Sequence, residues 1–122
     1  MAGEMVHIEI PADDTAQAQA FWGGLFGWQF QSYPGGPGEY HMTRISESSG
    51  GAITNMESGK RGTRTYFSVD DINAGGARVK ELGGEADDKA PVPGHGWFAA
   101  CKDTEGNLFS LWQADTSVSM PE

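Results

Sequence analysis

Side-chain character alternates along Val6-His7-Ile8-Glu9-Ile10 and stops at Pro11, the pattern of a short strand with one buried face. His7 and Glu9 then project to the same side. Asp13-Asp14 follows, and either carboxylate can accept hydrogen bonds from the first free N–H groups of a helix. The apolar stripe of that helix is Ala18, Phe21, Trp22, Leu25 and Phe26, and Gly27 is placed to end it in the left-handed conformation. Trp28 to Tyr33 reads as a strand, and the cluster Pro34-Gly35-Gly36-Pro37-Gly38 forces a turn before Glu39 to Ile45. Gly50-Gly51 precedes a last strand, Ala52 to Met56. The sum is one strand, one helix and three further strands.

The same order then returns. Asp13 and Asp70, Leu25 and Leu82, and Gly27 and Gly84 each stand 57 positions apart. The second copy runs through a strand from Arg64 to Val69, a helix from about Ile72 to Leu82, a short strand near Glu85, then Trp97 to Lys102 and Leu108 to Gln113. At this offset Tyr40 corresponds to Trp97. Gly75-Gly76 weakens the second helix by about 1 kcal/mol per glycine relative to alanine, so packing of Ile72, Val79 and Leu82 has to hold it. Asp103-Thr104-Glu105-Gly106-Asn107 is a hairpin-like connection. Each half is too small to bury a core alone, so units of about 1–57 and 62–114, joined through Ser58 to Thr63 and followed by a tail over 115–122, are expected to form a single domain.

A length of 122 residues, 38% hydrophobic, is enough for one compact core. Seventeen Asp and Glu against eight Lys and Arg give a net charge of -9, which repels a phosphate backbone, and no basic stripe offsets it. Nucleic acid is not an expected partner, and neither is a membrane, because no apolar run approaches the roughly 20 residues that span one. Cys101 is the one cysteine, so no internal disulfide can form. With no basic and apolar leader at the N-terminus, the cytoplasm is the expected compartment. Cys101 has no neighbouring base and reads as an inert core thiol.

The chain resembles the glyoxalase, bleomycin-resistance and extradiol-dioxygenase superfamily, the vicinal oxygen chelate fold. The resemblance rests on His7-Ile8-Glu9-Ile10 with Asp14, on Phe21-Trp22 and Leu25-Phe26-Gly27-Trp28, on Tyr66-Phe67-Ser68-Val69-Asp70-Asp71 with Leu82-Gly83-Gly84, and on Asp103 to Trp112. It implies an α+β fold of two βαβββ units whose curved mixed sheets enclose a cup, and a homodimer. It leaves chemistry open, because the fold hosts metal-dependent isomerases and dioxygenases as well as metal-free drug-binding proteins.

Metal-dependent glyoxalases of this kind carry a His or Gln on the first strand and a Glu on the last strand of each unit. His7 matches the first position. Arg64, Thr54 and Ser110 occupy the other three, with Thr54 set against Ser110 at an offset of 56. A guanidinium repels a cation and two hydroxyls do not replace carboxylates. The expected cofactor is therefore none, with a divalent metal displaced toward His7 and Glu9 as the alternative. The expected function is binding of a small organic molecule, anionic ligands included. The alternative is a lyase or isomerase of glyoxalase type, and a third reading is a partner module whose interface matters more than its pocket.

The candidate ligand-binding residues are His7, Glu9, Tyr40, Thr54, Arg64, Tyr66, His95, Trp97, Ser110 and Trp112. Arg64 either clamps an anionic group or pairs with an acid such as Glu9. Tyr40, Tyr66, Trp97 and Trp112, with Met42, either wall a pocket or fill the core. His95 sits at the tip of a Pro- and Gly-rich loop, 91–96, that is placed to close over the cup or to stay solvated. His41 alternates with Tyr40 and points away from it, while Trp22 and Trp28 are assigned to packing between helix and sheet.

Overall fold

A computed structural model describes residues 2–34, 38–56 and 62–119. The residues at the centre of the Pro34 to Gly38 turn and most of the Ser58 to Thr63 connection lie outside the described residues. The chain forms two compact units, one over Val6–Arg64 and one over Thr65–Glu122 together with Met1–Met5. The α+β assignment holds, with two helices and mixed parallel and antiparallel strand pairing.

The first unit comprises β1 (Met5–Pro11), α1 (Thr15–Phe26), β2 (Gln31–Ser32), β3 (Tyr40–Arg44) and β4 (Gly50–Thr54). Its strands lie in the order β2-β3-β4-β1. β1 and β4 run parallel, and β3 is antiparallel to both β2 and β4. Asp14 caps α1 as expected, its carboxylate accepting from Gln17 N at 3.0 Å. Gly27 ends the helix at φ 75°, a conformation that costs a residue with a Cβ. The strand expected over 28–33 shrinks to two residues, and β4 starts at Gly50, two residues before the expected start.

The second unit comprises β5 (Arg64–Ser68), α2 (Ile72–Glu81), β6 (Glu85–Ala86), β7 (Ala90–Val92), β8 (Gly96–Lys102) and β9 (Leu108–Ala114). The order is β5-β9-β8-β6, with β7 also pairing β8. Gly3 N donates to Ser68 O and Ser68 N to Glu4 O, both at 2.8 Å, which ties the N-terminal residues to this unit. Ile72, Ala99, Cys101 and Leu111 form its buried core. Cys101 is 3% exposed, as a packing thiol should be. Asp71 caps α2 through Asn73 N and Ala74 N, and Gln113 Oε1 accepts from Ile72 N at 2.8 Å, tying the helix to β9.

The ladders correct the internal alignment, by one residue against the 57-residue offset and by two for the pairing of Thr54 with Ser110. In the first unit Glu9 lies opposite Ala52 and Pro11 opposite Thr54, and in the second Tyr66 lies opposite Ser110 and Ser68 opposite Trp112. Ala52 therefore corresponds to Ser110, and Thr54 to Trp112. The antiparallel pairs Tyr40 with Thr54 and Phe98 with Trp112 agree, so Tyr40 corresponds to Phe98 rather than Trp97. A one-residue slip moves a side chain to the opposite face of a strand.

Where β8 begins, the backbone of β9 approaches so closely that only glycine fits. A Cβ on Gly96 would collide with Gln113 O and come 2.9 Å from the Trp112 ring. Gly96→Ala is expected to destabilise the protein by about 2 kcal/mol or more through this overlap, read as a shift of the urea midpoint at unchanged slope.

Candidate functional site

Side chains on β1, β3 and β4 alternate between two faces. Glu9, Met42 and Ala52 lie in one row of the ladder, and Pro11, Thr54 and Tyr40 in the next. His7 is two residues before Glu9 on the same face. The Tyr40 ring crosses this face and its hydroxyl bridges the other two polar groups. The hydroxyl donates to Glu9 Oε2 at 2.7 Å, and His7 Nε2 lies 2.7 Å from the Tyr40 phenol oxygen. The His7 and Tyr40 rings are near parallel, 16° apart.

The proton count in this chain is informative. A phenol has one proton, and Tyr40 donates it to Glu9. Tyr40 oxygen must then accept from His7, which fixes the imidazole as the Nε2–H tautomer. Burial favours the neutral ring and lowers the His7 pKa from 6.5 to about 4. The arrangement is a line of hydrogen bonds from imidazole through phenol to carboxylate, suited to hydrogen-bonding a ligand and to passing a proton along its length.

The remaining candidates occupy different settings. Thr54 is buried, and its Oγ1 donates to Glu39 O at 2.8 Å while accepting from Met56 N at 3.1 Å, so it closes the end of β4. Ser110 is 0% exposed. Arg64 is half-buried at the start of β5. Tyr66 is buried with its ring centroid 6.3 Å from that of Phe98, so the positions held in the first unit by Glu9 and Tyr40 are held in the second by two aromatic rings. Trp112 is half-buried beside Phe98 in the ladder.

Trp97 packs against the Ile72, Ala99, Cys101 and Leu111 core, with the Lys89 ammonium 4.3 Å from the ring centroid; the one-residue slip puts Phe98, not Trp97, in the place equivalent to Tyr40. The 91–96 segment is part of a hairpin. Pro91 and Val92 belong to β7, Gly94 N donates to Val118 O at 2.8 Å, and Asp115 N donates to His95 O at 2.9 Å. These bonds pin the exposed His95 beside the C-terminal segment.

A cluster that pattern reading passed over surrounds Glu39. Its carboxylate accepts from Thr15 Oγ1 at 2.7 Å, pairs with His41 Nε2 at 3.0 Å and accepts from Asn55 Nδ2 at 3.2 Å. The His41 bond, followed by the Thr15 bond, holds the Glu39 carboxyl below its ordinary pKa. The spacing Glu39-Tyr40-His41 was the available signal, since alternation places an acid and a histidine on the face opposite Tyr40. The second unit has an open groove of about 440 Å³, walled by Phe67, Leu108, Phe109 and Leu111. Its one carboxylate, Asp103, is taken up by Asn107 and Glu105 N.

A divalent cation would need converging carboxylate and imidazole donors. Among the described residues no three His, Cys, Asp or Glu side chains form such a group. The corrected register strengthens the mismatch: the partner of Ser110 is Ala52 and that of Thr54 is Trp112, so neither assignment of the last-strand position supplies a carboxylate. These positions do not complete the His or Gln and Glu set that the resemblance implies for a metal site.

The sequence profile of the glyoxalase-like domain family matches residues 5–112. The chain belongs to this family. A glyoxylase-like domain-containing protein from Didymella fabae is 30% identical over 118 residues, spanning 89% of this chain and 92% of that one. A Mycobacterium bovis protein named as a glyoxylase, CFP32, is 29% identical over 119 residues. This chain spans 46% of the length of that mycobacterial protein, against 91% of its own.

Solved structures agree on the fold of this glyoxalase-like chain. A hypothetical protein, BH1468 from Bacillus halodurans, superposes with a TM-score of 0.75 at 16% identity, covering 97% of this chain and 99% of that one. Methylmalonyl-CoA epimerase from Mycobacterium tuberculosis gives 0.72 at 14%, covering 93% and 88%.

The depressed His7 pKa makes stability depend on pH. The unfolded chain takes up the proton near 6.5 and the folded chain only near 4. The stability owed to neutral His7 is thus complete above pH 6.5 and is lost as pH falls toward 4, by on the order of 3 kcal/mol. An NMR titration is expected to give His7 a midpoint near 4, and His7→Gln is expected to flatten this part of the stability profile in urea unfolding.

Proposed function

We propose that this glyoxalase-like protein binds a small organic molecule on the sheet face bearing His7, Tyr40 and Glu9, without a divalent cation held in the manner of the metal-dependent relatives. The hydrogen-bonded line His7-Tyr40-Glu9 carries the reading. These groups are committed to one another through the phenol rather than converging on a point, and together they offer a donor and acceptor array of the kind that orients a ligand. Arg64 is an additional candidate for holding an anionic group. The protein acts in the cytoplasm, a proposal supported by a single, buried cysteine, and as a homodimer.

Methylmalonyl-CoA is a reasoned first ligand to try, because a structural neighbour of the same fold was solved in complex with it. Small carboxylates and oxo acids complete the panel. A ligand raises the melting temperature of the folded protein in proportion to its affinity and concentration. The expected result is a shift that survives a strong chelator and that Tyr40→Phe reduces, with affinity weakened about tenfold, the value of one well-made hydrogen bond. Binding abolished by the chelator and restored by one equivalent of a divalent cation would overturn the metal-independent reading.

A further inference from the structure

Helix α1 packs on β4 and turns the rest of its surface outward. Thr15 is buried and Ala18, Gln19 and Trp22 are half-buried, but Phe21 is 63% exposed, Leu25 58% and Phe26 57%. The expected core stripe of α1 is therefore split, with its bulkiest members facing away from the sheet. Aromatic contacts continue the patch beyond the helix: Trp22 stacks on Trp28 with ring centroids 5.7 Å apart, and the Phe26 and Trp28 centroids are 5.1 Å apart.

We infer that the outward face of α1 is where a second copy of this chain docks, helix against helix. The inference rests on the homodimer proposed above and supplies the surface. Three features select a second copy over another occupant. The first is charge. The protein carries -9 overall, so two copies repel each other across most approaches. The twelve residues of α1, TAQAQAFWGGLF, contain no charge, which leaves a face on which like charges do not meet. Depletion of charge with enrichment in aromatics is the composition of an interface centre.

The second feature is self-complementary relief. Phe21 and Leu25 form a ridge at i and i+4, while Ala20 and Gly24 form a parallel groove beside it. Two antiparallel copies related by a twofold axis place each ridge in the other's groove. Among the described residues nothing explains Gly24, because a Cβ there would meet nothing within 4 Å. Its neighbour Gly23 differs, since a Cβ there would lie 3.0 Å from Trp28 O. A closely approaching partner helix accounts for Gly24.

The third feature is area. Phe21, Leu25 and Phe26 at these exposures leave on the order of 300 Å² of apolar surface, a size at which patches on monomers are often functional. With the flanking groove this supplies a large share of the roughly 800 Å² that each partner gives to a standard interface.

Sedimentation velocity over a concentration series tests the assignment with the full chain. The wild type is expected at twice the 13.0 kDa chain mass, with association strengthened by added salt as repulsion is screened. Phe21→Glu combined with Leu25→Glu changes two outward side chains, and is expected to be monomeric at the same concentrations with an unchanged circular dichroism spectrum. Gly24→Leu, which fills the groove and leaves the ridge, is expected to weaken the dimer at least tenfold. A monomeric wild type overturns both the face and the homodimer. A dimer that persists in both variants overturns the face alone, and ligand binding on the Tyr40 face is read separately by the thermal-shift assay.

Discussion

In each unit the first strand pairs in parallel with the last, β1 with β4 and β5 with β9. Parallel neighbours cannot be joined by a tight turn, so the chain between them must leave the ladder and return. In both units a helix and intervening strands make that excursion. The parallel pair also fixes which side chains share a face. His7 and Glu9 stand together because they are two residues apart on β1. Tyr40 reaches them because β4 sits between β1 and β3 and places Tyr40 opposite Thr54, which is itself opposite Pro11.

That register sets the electrostatics of the site. Neutral His7 is compatible with burial and charged His7 is not, which is why its pKa falls to about 4 rather than rising in response to a nearby acid. Tyr40 stands between imidazole and carboxylate and joins them with two bonds of 2.7 Å. The phenol thereby satisfies two part-buried polar groups that would otherwise pay for desolvation. In the second unit the corresponding Tyr66 and Phe98 are both aromatic and make ring contact. One scaffold thus carries a polar line in one copy, while in the other the equivalents of His7, Glu9 and Tyr40 are Arg64, Tyr66 and Phe98.

Local signals were the most legible in the chain. The caps Asp14 and Gly27 were readable because each acts within a few residues of itself. The pairing of His7 and Glu9 on one face followed from strand alternation alone. The bond to Tyr40 did not, because it depends on the ladder across β4. The internal repeat misled at one point for a specific reason: the spacing is 57 from β1 to β5 but 58 from β3 to β8 and from β4 to β9, as the paired residues show. One residue gained in the intervening turns leaves the helices in step and reverses faces downstream. The 57-residue offset consequently places Trp97 where Phe98 stands, and β7 escapes the pattern because its prolines and glycines signal a loop, although an edge strand tolerates Pro91.

The α1 stripe shows the limit of periodicity from the other side. Apolar spacing reports that a face is buried somewhere, and it does not say against what. For Ala18 and Trp22 the answer lies within the chain, since both are half-buried. For Phe21 and Leu25 it does not. Their exposure would be unremarked for single residues scattered over a surface, but here it coincides with an uncharged helix in an acidic protein and with a glycine that nothing among the described residues requires. A helix that keeps Gly24 gives up intrinsic helix stability of about 1 kcal/mol relative to alanine. In the proposed helix-to-helix dimer, close approach of the partner would offset that loss at Gly24, beside exposed Phe21 and Leu25.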